Sequence, residues 1–467
     1  MIIRNFQSLC YFLLFAVPVS LAADAPVTCG PGSKCPSDKP CCSQYGQCGV
    51  GAYCLGGCDP QFSNKIESCV PGPVCVSKDY KLNSMDRITP KSKYLGDSSK
   101  TDWVSDGTPL AFNDQVVLTM AQDTVGTLLA SSTYVWYGKI SATMKTSRGA
   151  GVVTAFILLS DVKDEIDYEF VGVDLSDAQT NYYYQGITDY THGGNISLSD
   201  TFNNYHTYTI DWTPDQITWS VDGQVGRTKK KADTFNTTAN RYDYPQTPAR
   251  IQLSIWPGGL PSNGKGTIDW AGGPITYTGP DVSANGYYYA MVNEVKVECY
   301  DPPSGAKKSG GKSYVYTKDS GTEADVAISD NPTVLKSLLG TGTDMQADYP
   351  SSAAGSDTAA VIPGLSGAGP GTDGQRGQDD KGSSSGSSNS GGSSASGAPV
   401  GSSGSGTGSG TGSGSASTAT GFSQGAPANA VSGKSGAGAS MGKGGRSGLV
   451  VGSGVATVMA CFAIALL

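Results

Sequence analysis

The middle of the chain, from about residue 75 to about residue 301, alternates apolar and polar residues over short stretches. Such alternation predicts β-strands with one buried face. The clearest stretches are residues 116–120, 137–142, 205–212, 216–221, 250–256 and 293–299. Turn-forming pairs such as Asp222-Gly223 and Asn285-Gly286 separate them. Many short strands with frequent turns predict an all-β sandwich, and a length of roughly 225 residues fits a jelly roll of two curved sheets.

One predicted strand carries three acidic residues at alternate positions. Residues 165–170 read Glu-Ile-Asp-Tyr-Glu-Phe, so Glu165, Asp167 and Glu169 share one face and the apolar residues between them face the core. A solvated acidic face is the simpler explanation of such a pattern. Three like charges on one face destabilise a strand, however, and this favours a functional reason for them.

These acids suit a glycosidase that retains the configuration of the sugar. Glu165 and Glu169 are roughly 13 Å apart along a strand that rises about 3.3 Å per residue. Side chains that lean inward on a concave sheet bring the carboxyl groups to roughly 5–5.5 Å, the separation found in retaining enzymes. We predict that Glu165 is the nucleophile, that Glu169 is the acid/base in contact with the substrate, and that Asp167 shares a proton with Glu165.

The motif Glu-Ile-Asp-Tyr-Glu resembles the catalytic signature of glycoside hydrolase family 16. Residues from about 75 to about 300 resemble the Crh family of fungal wall transglycosylases, which join chitin to β-glucan. The resemblance implies a β-jelly roll, retention of configuration and the same three roles for the acids. It also implies transfer of a β-1,4-linked N-acetylglucosamine polymer to β-glucan or chitin. Hydrolysis and a non-catalytic wall adhesin are the alternatives, and the intact acid triplet argues against the adhesin.

A second strand pattern predicts sugar-binding residues. In residues 250–256 the isoleucines and leucine face the core, so Gln252 and Trp256 lie on the other face. A tryptophan stacks on a pyranose ring and a glutamine hydrogen-bonds to hydroxyl groups. The family resemblance implies that Gln252, Trp256 and Thr267 contact a chitin oligosaccharide, whereas core packing is the alternative for Trp256. Residues 182–184, three tyrosines, are expected to line the groove in part.

A cysteine-rich segment precedes the strands. Residues 41–58 resemble the hevein-type chitin-binding module of family 18, and the resemblance implies that Ser43, Tyr45 and Tyr53 bind chitin. A purely structural knottin is the alternative. The resemblance also implies the disulfides Cys29–Cys42, Cys35–Cys48 and Cys41–Cys54, and a bond from Cys58 to Cys69 or to Cys75. A further bond, Cys75–Cys299, would join the first strand to the last. A segment this short needs cross-links because its own core is too small.

The ends of the chain suggest export and anchoring. Residues 1–22 are typical of a signal peptide. Residues 441–467 are typical of the signal for a glycosylphosphatidylinositol anchor, and a transmembrane helix is the alternative for this second segment. Between these ends we predict the cysteine-rich module at 23–69, the catalytic domain at 70–303 and a disordered Ser/Gly-rich linker at 304–440. The protein is therefore expected outside the cell, in the wall and on the outer face of the plasma membrane.

Composition excludes some partners. A formal net charge of −8 and a pI near 4.9 argue against nucleic acid. With two histidines and no carboxylate cluster outside the acidic strand, we predict neither a metal nor another cofactor. The expected partners are chitin and β-glucan, with the membrane contacted only through the lipid anchor, and we expect a monomer. Asn195 and Asn236 begin N-glycosylation sequons.

Overall fold

The computed structural model describes residues 26–349. Within them the chain is almost entirely β-structure, with two short α-helices, α1 (Lys265–Trp270) and α2 (Pro280–Asn285). Short 3₁₀ turns occupy Gly51–Tyr53, Ile66–Ser68, Tyr190–His192, Lys231–Thr234 and Glu323–Asp325. Neither α-helix has the length and apolar character that a membrane span requires. The predicted all-β class is confirmed.

The strands of residues 26–349 follow in chain order. The first half of the chain forms β1 (Cys41–Cys42), β2 (Cys48–Gly49), β3 (Gly72–Pro73), β4 (Lys78–Lys81), β5 (Ile88–Pro90), β6 (Trp103–Asp106), β7 (Leu110–Phe112), β8 (Gln115–Ala121), β9 (Thr127–Val135), β10 (Gly138–Lys145), β11 (Val152–Ser160) and β12 (Glu165–Val171). The second half forms β13 (Asp177–Tyr183), β14 (Gly194–Ser197), β15 (His206–Trp212), β16 (Gln216–Val221), β17 (Gln224–Lys230), β18 (Phe235–Asn236), β19 (Arg241–Tyr242), β20 (Ala249–Pro257), β21 (Tyr287–Cys299), β22 (Lys307–Lys308), β23 (Ser313–Tyr316) and β24 (Val326–Ser329).

Two large sheets pack face to face. The front sheet has the strand order β14-β13-β12-β11-β20-β9-β6-β5, and the back sheet has the order β17-β16-β15-β10-β21-β8-β7, with β4 also paired to β21. Large side chains fill the space between them, including Phe156, Tyr168, Phe170, Tyr208 and Trp219. This arrangement is the predicted jelly roll, which is confirmed.

The front sheet is centred on β11. All nine of its residues are buried, which explains why the sequence shows a continuous apolar run here instead of alternation. β12 and β20 pair with it on either side. The strand with the three acids therefore lies in the interior of the sheet and not at an edge.

The six alternating stretches found in the sequence all form strands, namely β8, β10, β15, β16, β20 and β21. Their limits differ from the prediction by a few residues. The largest difference is in β21, which begins at Tyr287 instead of near residue 293.

The prediction that a disordered linker begins at residue 304 is wrong for residues 304–349. β22, β24 and β23 form a four-stranded sheet with β3, and Tyr314, Val326 and Ile328 join the main core. Leu335 packs into the core of the cysteine-rich segment. Most of the large apolar residues of this region are at least partly buried, Val334 being the exception at 43% exposed, and composition averaged over the whole zone hides them.

Five disulfides cross-link the described chain: Cys29–Cys42, Cys35–Cys48, Cys41–Cys54, Cys58–Cys69 and Cys75–Cys299. Cys58 thus pairs with Cys69, one of the two partners that the sequence left open. The sulfur atoms of Cys29, Cys35 and Cys42 lie within 4.8 Å of one another. All three belong to disulfides, so they are not available as metal ligands.

Candidate active site

The three acids of β12 lie on one face of the front sheet. The residues that alternate with them, Ile166, Tyr168 and Phe170, belong to the core between the sheets, so the acids lie on the opposite face. Glu165, Asp167 and Glu169 are 7%, 0% and 5% exposed. Such burial is incompatible with a solvated acidic face. It fits carboxyl groups that lie on the floor of a groove.

Neighbouring strands extend this face on both sides of the acids. The paired residues are Leu159, Ile157 and Ala155 on β11, and Tyr183, Asn181 and Gln179 on β13. Directly paired residues of adjacent strands share a face. The acids are therefore flanked by an apolar strip on one side and by polar side chains on the other.

Asp167 lies next to Glu165, the residue with which the sequence predicts that it shares a proton. Burial, reinforced by the negative charge of Glu165 and by the hydrogen bond between the two carboxyl groups, raises the pKa of Asp167 well above its ordinary value. Within residues 26–349 no amide, hydroxyl or cationic side chain donates a hydrogen bond to either oxygen of Asp167. These effects favour the protonated form of Asp167, the form that can donate a proton to a carboxylate at Glu165.

A fourth acid, Asp164, fixes the start of β12. Its carboxylate accepts hydrogen bonds from the backbone N–H groups of Gln185 (3.0 Å), Gln246 (2.9 Å) and Thr247 (3.1 Å), and from the Thr247 hydroxyl (2.7 Å). Burial raises the pKa of Asp164 to about 6. Asp164 stands outside the alternate positions of the three acids, and it holds the backbone next to Glu165.

Gln252 and Trp256 lie on the same face as the acids. On β20 they pair with Ile157 and Val153 of β11. Gln252 is 1% exposed and Trp256 is 7% exposed. No partner for the Gln252 Oε1 atom or for the Trp256 indole N–H exists among the described residues. Buried polar atoms without partners are rare, and a bound sugar would supply the missing hydrogen bonds.

Trp256 also packs against apolar neighbours, as expected if its role were core packing instead of sugar binding. It clusters with Val153, Val171 and Ala271, and Trp270 of α1 stacks on it at 6.1 Å between ring centroids. The Trp270 indole in turn donates to Gln179 at 2.7 Å. Trp270 ends the stretch 264–270, in which the sequence pattern assigns a sugar contact to Thr267 alone. Thr267 is buried on the same helix.

The three tyrosines at 182–184 divide between the two faces. Tyr182 belongs to the core between the sheets. Tyr183 pairs with Glu165 across β12 and β13 and therefore lies on the groove face. Its hydroxyl accepts a hydrogen bond from the Asn181 amide at 2.8 Å.

The predicted glycan acceptors differ in accessibility. Asn195 is exposed on β14. Asn236 is half-buried, and its Nδ2, the atom that would carry a glycan, donates to the Asp243 carboxylate at 2.8 Å.

Comparison with known proteins places this geometry in a family. Residues 97–272 match the profile of Glycosyl hydrolases family 16. Crh-like protein 3 of Botryotinia fuckeliana is 60% identical over 332 residues, which cover 70% of this chain and 75% of that protein. This chain is a Crh-like member of glycoside hydrolase family 16.

Other members of the family are also similar. Crh-like protein 2 of Aspergillus fumigatus is 56% identical over 357 residues, covering 76% of this chain and 80% of that protein. The solved structure of the Crh5 transglycosylase in complex with NAG is 32% identical, with a TM-score of 0.47, and covers 58% of this chain and 99% of that one. As a member of family 16, the protein is an enzyme that acts on glycans.

The proton that Asp167 is predicted to share with Glu165 leads to an expected result for two variants of Asp167. Asparagine keeps an N–H group that can donate to Glu165, whereas alanine removes the donor. We expect a loss of kcat of about tenfold for Asp167→Asn and of at least about a hundredfold for Asp167→Ala. Initial rates on a chitin oligosaccharide, with the melting temperature as a check on folding, measure both. Equal losses would contradict a donor role for Asp167.

Proposed function

We propose that this Crh-like enzyme is a retaining transglycosylase. It cleaves chitin, a β-1,4-linked N-acetylglucosamine polymer, and transfers the part of the chain that is bound to the enzyme to a β-glucan or chitin acceptor. The observation that carries the proposal is the buried row of Glu165, Asp167 and Glu169 on one face of β12. The similarity to proteins described as Crh-like and to a structure described as a transglycosylase supports it.

The chemistry takes two steps. Glu165 attacks the anomeric carbon while Glu169 gives its proton to the leaving glycosidic oxygen, so the C1–O bond breaks and an ester to Glu165 forms. Glu169, now a carboxylate, then takes the proton of an acceptor hydroxyl, whose oxygen attacks the same carbon and displaces Glu165. Asp167 stabilises Glu165 through the shared proton during both steps. Gln252, Trp256 and Thr267 bind the donor sugars.

The same residues would hydrolyse the ester if water replaced the sugar acceptor. One experiment separates the possibilities: incubate the protein with chitin and a labelled β-glucan oligosaccharide, and analyse the products. Label in the polymer supports transfer, whereas new short reducing ends without polymer label support hydrolysis. If neither product forms, the enzymatic proposal fails and a glycan-binding adhesin takes its place.

The cysteine-rich segment, residues 23–69, is proposed to be a chitin-binding module that acts through Ser43, Tyr45 and Tyr53. Its four disulfides support a fold held by cross-links and not by a large core. Binding to insoluble chitin that is lost in a Tyr45→Ala variant would support this role over a purely structural one.

We also propose that the protein is secreted and held at the cell wall by a glycosylphosphatidylinositol anchor, as a monomer. The signal peptide at 1–22 and the anchor signal at 441–467 lie outside the described residues, as does the linker beyond residue 349. The basis for this proposal is therefore the sequence pattern alone. Release of the protein from membranes by a phospholipase specific for this anchor would test it.

A further inference from the structure

A pocket lies between the cysteine-rich module and the front sheet. It is open to solvent. We call it the junction pocket. The sheet contributes Val104 and Asp106 from β6, Leu128 and Ala130 from β9, and Arg250 from β20. The module contributes Ser43, Tyr45 and Tyr53, the residues proposed to bind chitin.

The junction pocket lies on the same face of the front sheet as the catalytic acids. Asp167 pairs with Ile157, Ile157 with Gln252, and Gln252 with Ala130. Residues paired in this way share a face, and Ala130 lines the pocket. Neighbouring strands lie about 4.8 Å apart, so β9 is roughly 14 Å from β12 across the sheet. A short oligosaccharide can span that distance.

Gln252 connects the two regions. Its Nε2 atom donates to the Gln44 side chain of the module at 3.1 Å, and Gln44 lines the junction pocket. The Gln252 Oε1 atom is buried and has no hydrogen-bond partner within the described part of the chain. A sugar hydroxyl or acetamide N–H that lies between the acids and the pocket would satisfy this oxygen.

The module is held firmly against the catalytic domain on one side. The backbone N–H of Gly57 lies within hydrogen-bond distance of the Asp161 carboxylate (3.0 Å) and of the Tyr134 hydroxyl (3.1 Å). Tyr134 itself donates to Asp161 at 2.7 Å. The side chain of Arg250 lies directly beneath Gly56, where an added Cβ would come within 2.5 Å of it.

Residues 333–349 hold the module from the other side. Gly51 donates to the Gly340 carbonyl at 2.8 Å, and Gly342 donates to the Ser68 carbonyl at 2.8 Å. Gly51 has φ +61°, and a Cβ there would lie 2.1 Å from the Leu338 carbonyl oxygen. With contacts on both sides, Tyr45 and Tyr53 keep a fixed position relative to the acids.

We propose that the junction pocket is a remote subsite of the catalytic groove. It would take an N-acetylglucosamine unit of the same chitin chain that is cleaved between Glu165 and Glu169. The proposal rests on the function proposed above. Tyr45 is half-buried and offers aromatic surface to a pyranose ring, whereas Tyr53 is buried in the wall of the pocket. Ser43 and the ion pair of Lys91 with Asp106 offer polar groups to the substituents of the sugar. The module is then a wall of the groove and not a separate tether.

The test measures binding without turnover. In full-length protein that carries Glu165→Gln, calorimetry gives the affinity for chitin oligosaccharides from the disaccharide to the octasaccharide. Affinity should rise with length and rise again when the chain reaches the junction pocket. Tyr45→Ala, which removes an aromatic wall, should lower affinity for the longest oligosaccharides by about tenfold and leave the affinity for the shortest ones in the groove unchanged.

A second variant fills the pocket without removing a contact. Ala52 lines it and is half-buried, and Ala52→Trp should abolish the same length-dependent gain. Tyr242→Ala, at a tyrosine that is 43% exposed and outside the pocket, is the matched control and should change nothing. Melting temperatures check that each variant is folded.

The outcomes separate this proposal from the proposed function. If affinity rises with oligosaccharide length equally in Tyr45→Ala, in Ala52→Trp and in the parent protein, the remote subsite is overturned. Calorimetry that shows two independent chitin sites, with the same number of oligosaccharides bound per protein for short and for long chains, would also overturn the remote subsite. The module would then bind a chain of its own and act as a tether. If the gain is lost in both variants but the protein with Glu165 intact forms no product, the subsite stands and the transglycosylase proposal fails.

Discussion

Replacing Glu165 with glutamine should lower the rate of transfer by roughly 10⁴-fold or more, because the neutral amide cannot form the ester to the anomeric carbon. Binding to chitin should be unchanged, since Tyr45 and Tyr53 lie on the module and not on β12. Transfer of labelled β-glucan and retention on insoluble chitin are measured on the same preparation.

A matched control is available on the back sheet. Glu298 is exposed on β21, and Glu298→Gln makes the same chemical change away from the groove. It should keep full activity. Activity of the Glu165→Gln protein equal to that of the control would rule out Glu165 as the nucleophile.

Replacing Glu169 with alanine should lower the cleavage of chitin by about 10²–10⁴-fold, the usual contribution of a general acid. A 4-nitrophenyl chitooligosaccharide should behave differently, because its leaving group departs without a proton. The variant should release a rapid burst of nitrophenol and then slow down, since Glu169 is also missing as the base of the second step. Spectroscopic detection of nitrophenol measures both phases.

Azide distinguishes the two glutamates. In Glu169→Ala, azide needs no base and should react with the Glu165 ester to give a β-glycosyl azide, so that turnover recovers. In Glu165→Ala, azide can occupy the place of the nucleophile and should give the α-glycosyl azide. NMR identifies the anomer. The opposite assignment of anomers would exchange the roles of Glu165 and Glu169.

The fold of the catalytic domain follows from local pattern. β15 and β20 alternate apolar and polar residues, whereas β11 is a continuous apolar run. Each pattern follows from which faces of the strand are buried. The acids of β12 were identified in the same way, since alternate positions determine which side chains share a face.

Other features depend on contacts between distant parts of the chain. Leu335 and Gly340 lie in a segment rich in small and polar residues, and only their packing on the module makes that segment ordered. Trp270 joins the site because α1 brings it onto Trp256. The contact of Gln44 with Gln252 joins residues 208 positions apart. No pattern along one stretch of sequence contains such information.

Burial is the main cause that raises the pKa of Asp167, which is fully buried. The negative charge of Glu165 and the hydrogen bond between the two carboxyl groups raise this pKa further, whereas the positive charge of Arg227 lowers it. The protonated form of Asp167 is therefore favoured, which suits the proposed role of Glu165 as the charged nucleophile. In the proposed mechanism, the carboxylate of Glu165 forms a covalent bond to the donor sugar.

Mass spectrometry of the trapped intermediate tests that claim most directly. The Glu169→Ala protein, in which the second step is slow, is mixed with the nitrophenyl donor, quenched in acid and digested with a protease. We expect the peptide that contains Glu165 to gain the mass of the donor oligosaccharide, and we expect fragmentation to locate this mass on Glu165. A donor attached to Asp167, or a rapid release of nitrophenol without any attached sugar, would contradict it.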